Sequence, residues 1–232
     1  MKRSHTFTAL AAITLAGALC IGNTASAAGR PAGDLGPAKA RCTAAITERQ
    51  NELNSLSGKA AGAAQLTDAH ESTIASFLSS AKSGLSELQT KIDADTDPAT
   101  LRADCDAVRT EFRVFALRAP QVHMAIAGDR QAAGLTKATT IAAKLQTAIQ
   151  TAADNGKDVT SETAKLAEMN GLLADASSKL GGVVDAELSV TVTQWNSDHT
   201  VLSATNTALH AAQNDLRAAL ADAKAIIAEL KA

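Results

Sequence analysis

A chain of 232 residues with 46 % hydrophobic side chains is long enough for one large domain or two small ones, yet only 2 % of it is aromatic and tyrosine is absent. Its apolar content is therefore mostly Ala, Leu, Val and Ile, which argues against an aromatic-lined ligand pocket and against sheet-rich folds. A mean hydropathy of -0.01, with no uncharged apolar run of about 18 residues beyond the N-terminus, excludes a polytopic membrane protein.

The first 27 residues read as a signal peptide. Lys2 and Arg3 supply a basic start, Phe7 to Ile21 an apolar stretch, and Ala25-Ser26-Ala27 a small-residue cleavage site, so that the exported chain is expected to begin at Ala28. Lipid attachment at Cys20 is the competing reading, disfavoured by the bulk of Leu19 before it. No Arg-Arg pair calls for the twin-arginine route, and the apolar run is short for a retained anchor, so membrane association is not expected once the signal is removed. Cleavage leaves 20 basic against 24 acidic side chains. Nucleic acid is then a poor partner, because no basic field is present to meet it. Cleavage also removes Cys20 and leaves Cys42 and Cys105. An even pair in an exported chain reads first as a disulfide, which in the chain-entropy model would contribute roughly 4 kcal/mol; two separately buried thiols are the alternative.

After a Gly/Pro-rich leader over residues 28–37, apolar residues recur at three- and four-residue spacing, the helical period of bundles and coiled coils. A first helix is expected from about Ala38 to Ser57 with Cys42, Ile46, Leu53 and Leu56 inward. A second runs from a capping Thr67 to Ala94 on a seam of Ile74, Leu78, Ala81, Leu85, Leu88 and Ile92. Asp97-Pro98 starts the third, since Asp97 can accept orphan amide protons and Pro98 has none to lose. Its seam reads Leu101, Cys105, Val108, Phe112, Phe115, Ala119, Val122 and Ile126, continuing in phase past Pro120, which should kink the helix without ending it. The stripe slips by about one residue after Asp129, resumes at Ile141, and stops at Asn155-Gly156. A fourth helix from Thr160 or Ser161 carries Leu166, Met169, Leu173, Ala176, Leu180, Val183 and Glu187, weakened at Gly181-Gly182 and by Val190-Thr191-Val192-Thr193. That last stretch is a possible strand without a partner. Asn196-Ser197-Asp198 caps a fifth helix with Leu202, Thr205, Leu209, Ala212, Leu216, Ala219, Ala223, Ile227 and Leu230 inward.

The fold class implied is all-α: an elongated antiparallel bundle or coiled coil of about five helices around a long, kinked central helix. In an up-down-up arrangement helices one and three start at the same end, so Cys42 and Cys105 would meet. The third helix, roughly 80 Å if continuous, would serve an N-terminal lobe over residues 38–127 and a C-terminal lobe over 128–232, hinged between Pro120 and Gly134. A compact five-helix bundle is the fallback.

Chemistry-bearing residues are few. Asp93, Asp95, Asp97 and Asp104 coincide with ligand positions of a calcium-binding loop, but the position that must be Gly is Pro98 and the last ligand is a short Asp, so a helix-capping turn competes with ion binding. The mature histidines, His70, His123, His199 and His210, lack zinc-ligand spacing. His123 flanks the seam as a half-buried hydrogen-bonding candidate. Asp129 and Glu187 fall on apolar seams, where an unpaired charge is costly. Either the seam swings toward solvent there, or each is a buried polar group paired with Arg or His that fixes register. Arg102, Arg109 and Arg113 are interleaved with acids and read as a solvated face. No cofactor fingerprint, phosphate loop or nucleophile motif is present, and no catalytic residue is nominated.

Leu66-Thr67-Asp68-Ala69-His70, Lys91 to Asp97, Leu101 to Asp104, Phe112-Arg113-Val114-Phe115 and Pro120-Gln121-Val122-His123, followed by Ile126-Ala127 and Asp129, form a series over residues 66–130. It resembles a group of uncharacterised, exported, helix-rich actinobacterial proteins, a resemblance that implies a secreted α-helical protein and no catalytic or ligand role. The expectation is a secreted, non-enzymatic helical module that interacts with an unidentified protein or cell-envelope partner or acts as a spacer. The alternative is a weak divalent-ion or small-ligand binder using the turn Asp93 to Asp97.

Overall fold

A computed structural model describes residues 34–231, of which Leu35 onward belongs to one compact unit. The signal-peptide expectation and most of the leader lie outside the described residues. The helices are α1 (Gly36–Ala61), α2 (Asp68–Ala94), α3 (Pro98–Thr110), a π-helical turn (Val114–Arg118), α4 (Ala119–Asp154), α5 (Thr160–Leu180), α6 (Val183–Leu188), α7 (Val192–Ser197) and α8 (Ser203–Lys231). The fold is all-α: no strand occurs among the described residues, and Val192 begins a helical turn closed by a capping box between Thr191 and Gln194. No helix among them is long and apolar enough to cross a membrane.

Helix α2 follows the sequence closely. It ends at Ala94, buries all six seam residues from Ile74 to Ile92, and is capped by the Thr67 side chain, which accepts from the His70 amide. Its partner α1 starts two residues earlier than expected, with Pro37 in its first turn, and buries Ile46, Leu53, Leu56 and Ala60 against it. Helix α3 lies against both. Asp97 caps it through the Thr100 amide at 2.8 Å, and a disulfide joins Cys105 to Cys42 with the Cα atoms 5.4 Å apart.

The bend in the long central rod is earlier than expected. It lies at Glu111 to Arg118, not between Pro120 and Gly134, and α4 runs unbroken through Gly134. Arg113 takes the left-handed conformation (φ 46°), the one non-glycine described residue to do so, and Asn196 of α7 caps the interruption by donating to the Thr110 carbonyl and accepting from Arg113 Nε. The next turn widens, so that the Arg118 amide reaches back five residues to the Arg113 carbonyl and the Ala119 amide to that of Val114. Pro120 explains the widening. Its ring would collide with the carbonyl four residues back in a regular α-helix, and it has no N–H to offer. The extra residue turns the buried face, so Val114 and Leu117 go inside while Phe115, expected on the seam, is 45 % exposed and Phe112 is half-buried.

Two hydrophobic cores result. One gathers α1, α2, α3, the start of α4, and Val184 and Leu188 of α6. The other lies between the rear of α4, α5 and α8, from Ala138 to Ile149, Leu166 to Ala176, and Ala212 to Ile226. The single weakened fourth helix resolves into three. Gly182 takes a positive φ (68°) that breaks α5 from α6, and the chain breaks again before α7. Helix α8 begins at Ser203, not at Asn196 to Asp198: Asp198 folds onto the Thr200 amide and hydroxyl, a local turn that delays the helix. Ile227, expected inward, is 39 % exposed, and Ile226 is buried in its place.

Candidate functional site

The chemically loaded region lies where α2, α4 and α6 converge. Gly128 lets α4 approach α6 closely, because a Cβ there would collide with Val184. One residue on, Asp129 is buried and accepts from the Thr67 amide at 2.7 Å. Its carboxylate also holds Nδ1 of His70 at 2.8 Å, while Nε2 of the same ring meets Asp185 Oδ1 of α6 at 3.1 Å. One imidazole therefore ties three helices together. Burial by itself would lower the pKa of His70, but hydrogen bonding to Asp129 and Asp185 and their negative charge outweigh it and raise it. Ionised carboxylates only accept, so both contacts are hydrogen bonds only when the ring carries two protons.

A second polar line runs about two turns earlier on α4. Gln121, fully buried, donates from Nε2 to the carbonyls of Glu187 (2.8 Å) and Val190 (3.0 Å), the outgoing end of α6, and its Oε1 accepts from Arg118 at 2.9 Å. The Arg118 guanidinium lies over the Phe77 ring at 4.7 Å from its centre. Among the described residues no carboxylate pairs with it, and burial lowers its pKa with nothing opposing. Arg118 lines an open cleft of about 690 Å³, together with α2 and the Leu188–Val192 segment. Ser72, Ser76 and Ser80 of α2 contribute to the lining, as do the alternating apolar and hydroxyl side chains of residues 188–192.

The residues singled out in the sequence divide. Asp129 is the buried polar residue paired with a histidine that register-fixing requires. Glu187 is buried as well, but neither alternative expected for it occurs: it does not swing to solvent, and no Arg or His reaches it. Both carboxyl oxygens lack a hydrogen-bond partner, and burial pushes its pKa up to about 9, so it is a neutral acid at pH 7. His123 is exposed, because one step from buried Val122 on a helix is a rotation of about 100°; it borders a surface hollow with Trp195 and His199. Asp93, Asp95, Asp97 and Asp104 do not converge. Asp93 is held by Gln89, Asp97 is turned onto Thr100, and no group of three His, Cys, Asp or Glu side chains among the described residues is placed to hold a metal. Arg109 and Arg113 are joined by Arg49 of α1 around Phe115, an association across helices that spacing along one helix does not reveal.

Sequence reasoning missed His70, Asp185, Gln121 and Arg118. For His70 a signal existed: it lies four residues before Ile74, continuing the α2 seam back by one turn. Gln121 and Arg118 had none, since their placement depends on the widened turn. Comparison of the chain with protein-family models, with curated proteins and with solved structures gives no match.

Proposed function

We propose that the protein is an exported, non-enzymatic helical module that binds a partner at the cell envelope through the cleft beside α2. The observation that carries this reading is the cleft itself: an open, partly apolar surface lined by a guanidinium with which no carboxylate of the described residues forms an ion pair. The chemistry around it points to binding in place of turnover. Both nitrogens of His70 are committed to carboxylates, so the ring is no free base, and both mature cysteines are consumed in the disulfide. The disulfide accords with an oxidising compartment and with export behind residues 1–27. The actinobacterial resemblance points the same way.

A photo-crosslinking residue placed at Ser76, inside the cleft, tests the proposal in the producing cell, with Lys224 on the exposed face of α8 as the control position. A discrete crosslinked species from position 76 and none from 224 is expected, with Ala28 as the N-terminus of the recovered protein. Equal, diffuse labelling from both positions rejects a specific partner at the cleft.

A further inference from the structure

Where α1 passes the interruption after α3, the surface forms a hollow of about 280 Å³ lined by Arg49, Arg109, Arg113, Val114, Phe115 and Ala116, with no carboxylate among them. Its charge runs against that of the whole chain, in which 24 acids outnumber 22 bases. Cys42 stands two turns before Arg49 and Cys105 one turn before Arg109, so the disulfide holds α1 and α3 side by side and keeps the two cations together. Burial, the largest cause, and the positive charge of Arg109 together outweigh the effect of Glu48 and lower the pKa of Arg49. Asp106 pairs with Arg109 at 3.6 Å, but both side chains are exposed, where such a pair is worth little. Arg113 occupies a strained backbone position, left-handed with φ 46°, where Gly or Asn would be easier to accommodate. Asn196 accepts from its Nε and aims the guanidinium, whose two terminal nitrogens make no hydrogen bond among the described residues. Arg49 is oriented too. It donates from Nη1 to the Ala45 carbonyl at 2.8 Å and lies 5.5 Å from the centre of the Phe115 ring, which is 45 % exposed.

From this arrangement we infer that the hollow binds the phosphoryl group of a phosphate monoester, with Arg49, Arg109 and Arg113 around its oxygens and Phe115 beside the carbon chain of the ester. A phosphate monoester carries about two negative charges at pH 7 and presents three terminal oxygens, and the guanidinium fork fits such a group closely. A carboxylate, with one charge and two oxygens, would leave the third cation unmatched. Like charges held in one hollow repel, and a dianion between them turns that repulsion into attraction. Two of the three guanidiniums are oriented before anything binds, so little order has to be imposed on the receptor. The hollow shares no lining residue with the cleft beside α2, so this site stands apart from the proposed function and either can fail without the other.

The test titrates the disulfide-bonded protein at low ionic strength with three probes: glycerol phosphate and inorganic phosphate by calorimetry, and phosphatidylcholine vesicles carrying phosphatidate by co-sedimentation. Saturable binding of the ester is expected, suppressed by salt and weakened about tenfold by Arg109→Gln. Arg113→Gly separates binding from folding. It relieves the left-handed residue, so the melting temperature should hold or rise while the affinity falls as far as in R109Q. Arg109 is exposed, so R109Q carries the test if R113G fails to fold. Vesicle binding that exceeds binding of the soluble ester and is lost with Phe115→Ser places the phosphoryl group on a lipid headgroup. Binding of glycerol phosphate with none to vesicles places it on a soluble ester. Inorganic phosphate bound as tightly as the ester overturns the ester assignment and gives the hollow to free phosphate. No binding of any probe, or binding that R109Q and R113G leave unchanged, overturns the inference outright.

Discussion

In the core around the disulfide, three of seventeen buried hydrophobic residues are alanine; in the core of α4, α5 and α8, six of thirteen are. The second core is a run of long helices on one regular seam, with small residues that let the rods approach closely but remove little apolar surface from water per turn. The first buries larger side chains and adds cross-ties: a disulfide, an imidazole between two carboxylates, and a buried amide on the end of α6. It also contains every helix break that shapes the cleft. Irregular backbone in this protein occurs where a disulfide and buried polar ties hold it; the regular half has no disulfide, and its ties are ion pairs at the flanks of the seam, Lys165 with Glu229 and Lys179 with Asp215.

That contrast can be broken most forcefully at the disulfide. Replacing Cys42 and Cys105 with Ser should lower stability by about 4 kcal/mol in urea unfolding, and amide exchange should accelerate most, relative to wild type, in α1 and α3. A loss spread evenly into α5 and α8 would mean that the two cores do not differ in what secures them. Next in size, Asp129→Ala leaves His70 and the Thr67 amide without their buried acceptor and should cost about 3 kcal/mol. An unchanged melting temperature would remove the three-helix tie from the account. Gly128→Ala drives a methyl into Val184 and should cost about 2 kcal/mol, with the α6 amides exchanging faster than those of α5.

The pH response sharpens the same comparison, because the two groups that drive it, His70 and Glu187, belong to the cross-tied half. Glu187 ionises near 4.5 in the unfolded chain and near 9 in the folded one, so the fold binds the proton more tightly. Its contribution is fully present below 4.5 and is lost as pH rises toward 9, by at most about 1.4 kcal/mol per pH unit. His70, also raised, adds a loss of the same sign as pH rises from its unfolded value near 6.5. Urea midpoints should therefore fall between pH 5 and pH 8. Glu187→Gln, a neutral side chain of the same shape, should flatten that fall, and parallel slopes for wild type and variant would refute the assignment. The smallest effect is expected at Phe115, whose replacement by Ser should change stability by no more than about 0.5 kcal/mol, since nearly half of the residue is already in water.

Legibility of the sequence follows the same division. Where local propensity decides, at the α2 seam, the Asp97-Pro98 start and the Asn155 stop, elements agree with the periodicity to within a residue or two. Asp129 was visible as an acid on an apolar stripe, and the cysteine pair as an even count. What escaped depends on contacts remote in sequence. The break before Pro120 needs Asn196 to satisfy a carbonyl on Thr110, 86 residues away, and His70 becomes a tie only because Asp129 and Asp185 reach it, 59 and 115 residues along the chain. Glu187 shows the limit most plainly: its position on the seam was readable, but its protonation is set by the absence of any partner in a packed interior.

The widened turn at Val114–Arg118 acts as a one-residue gearwheel between the two halves of the rod. Removing a single residue from that stretch would restore an even pitch and rotate everything beyond it by about 100°. Phe115 would then swing inward, Asp129 would leave His70, and Arg118 would leave the cleft. Insertions and deletions should accordingly be tolerated in the Asn155–Asp158 connection, which contacts neither centre, and selected against between Thr110 and Pro120, where the count of residues, more than their identity, sets which way Arg118 and Asp129 face.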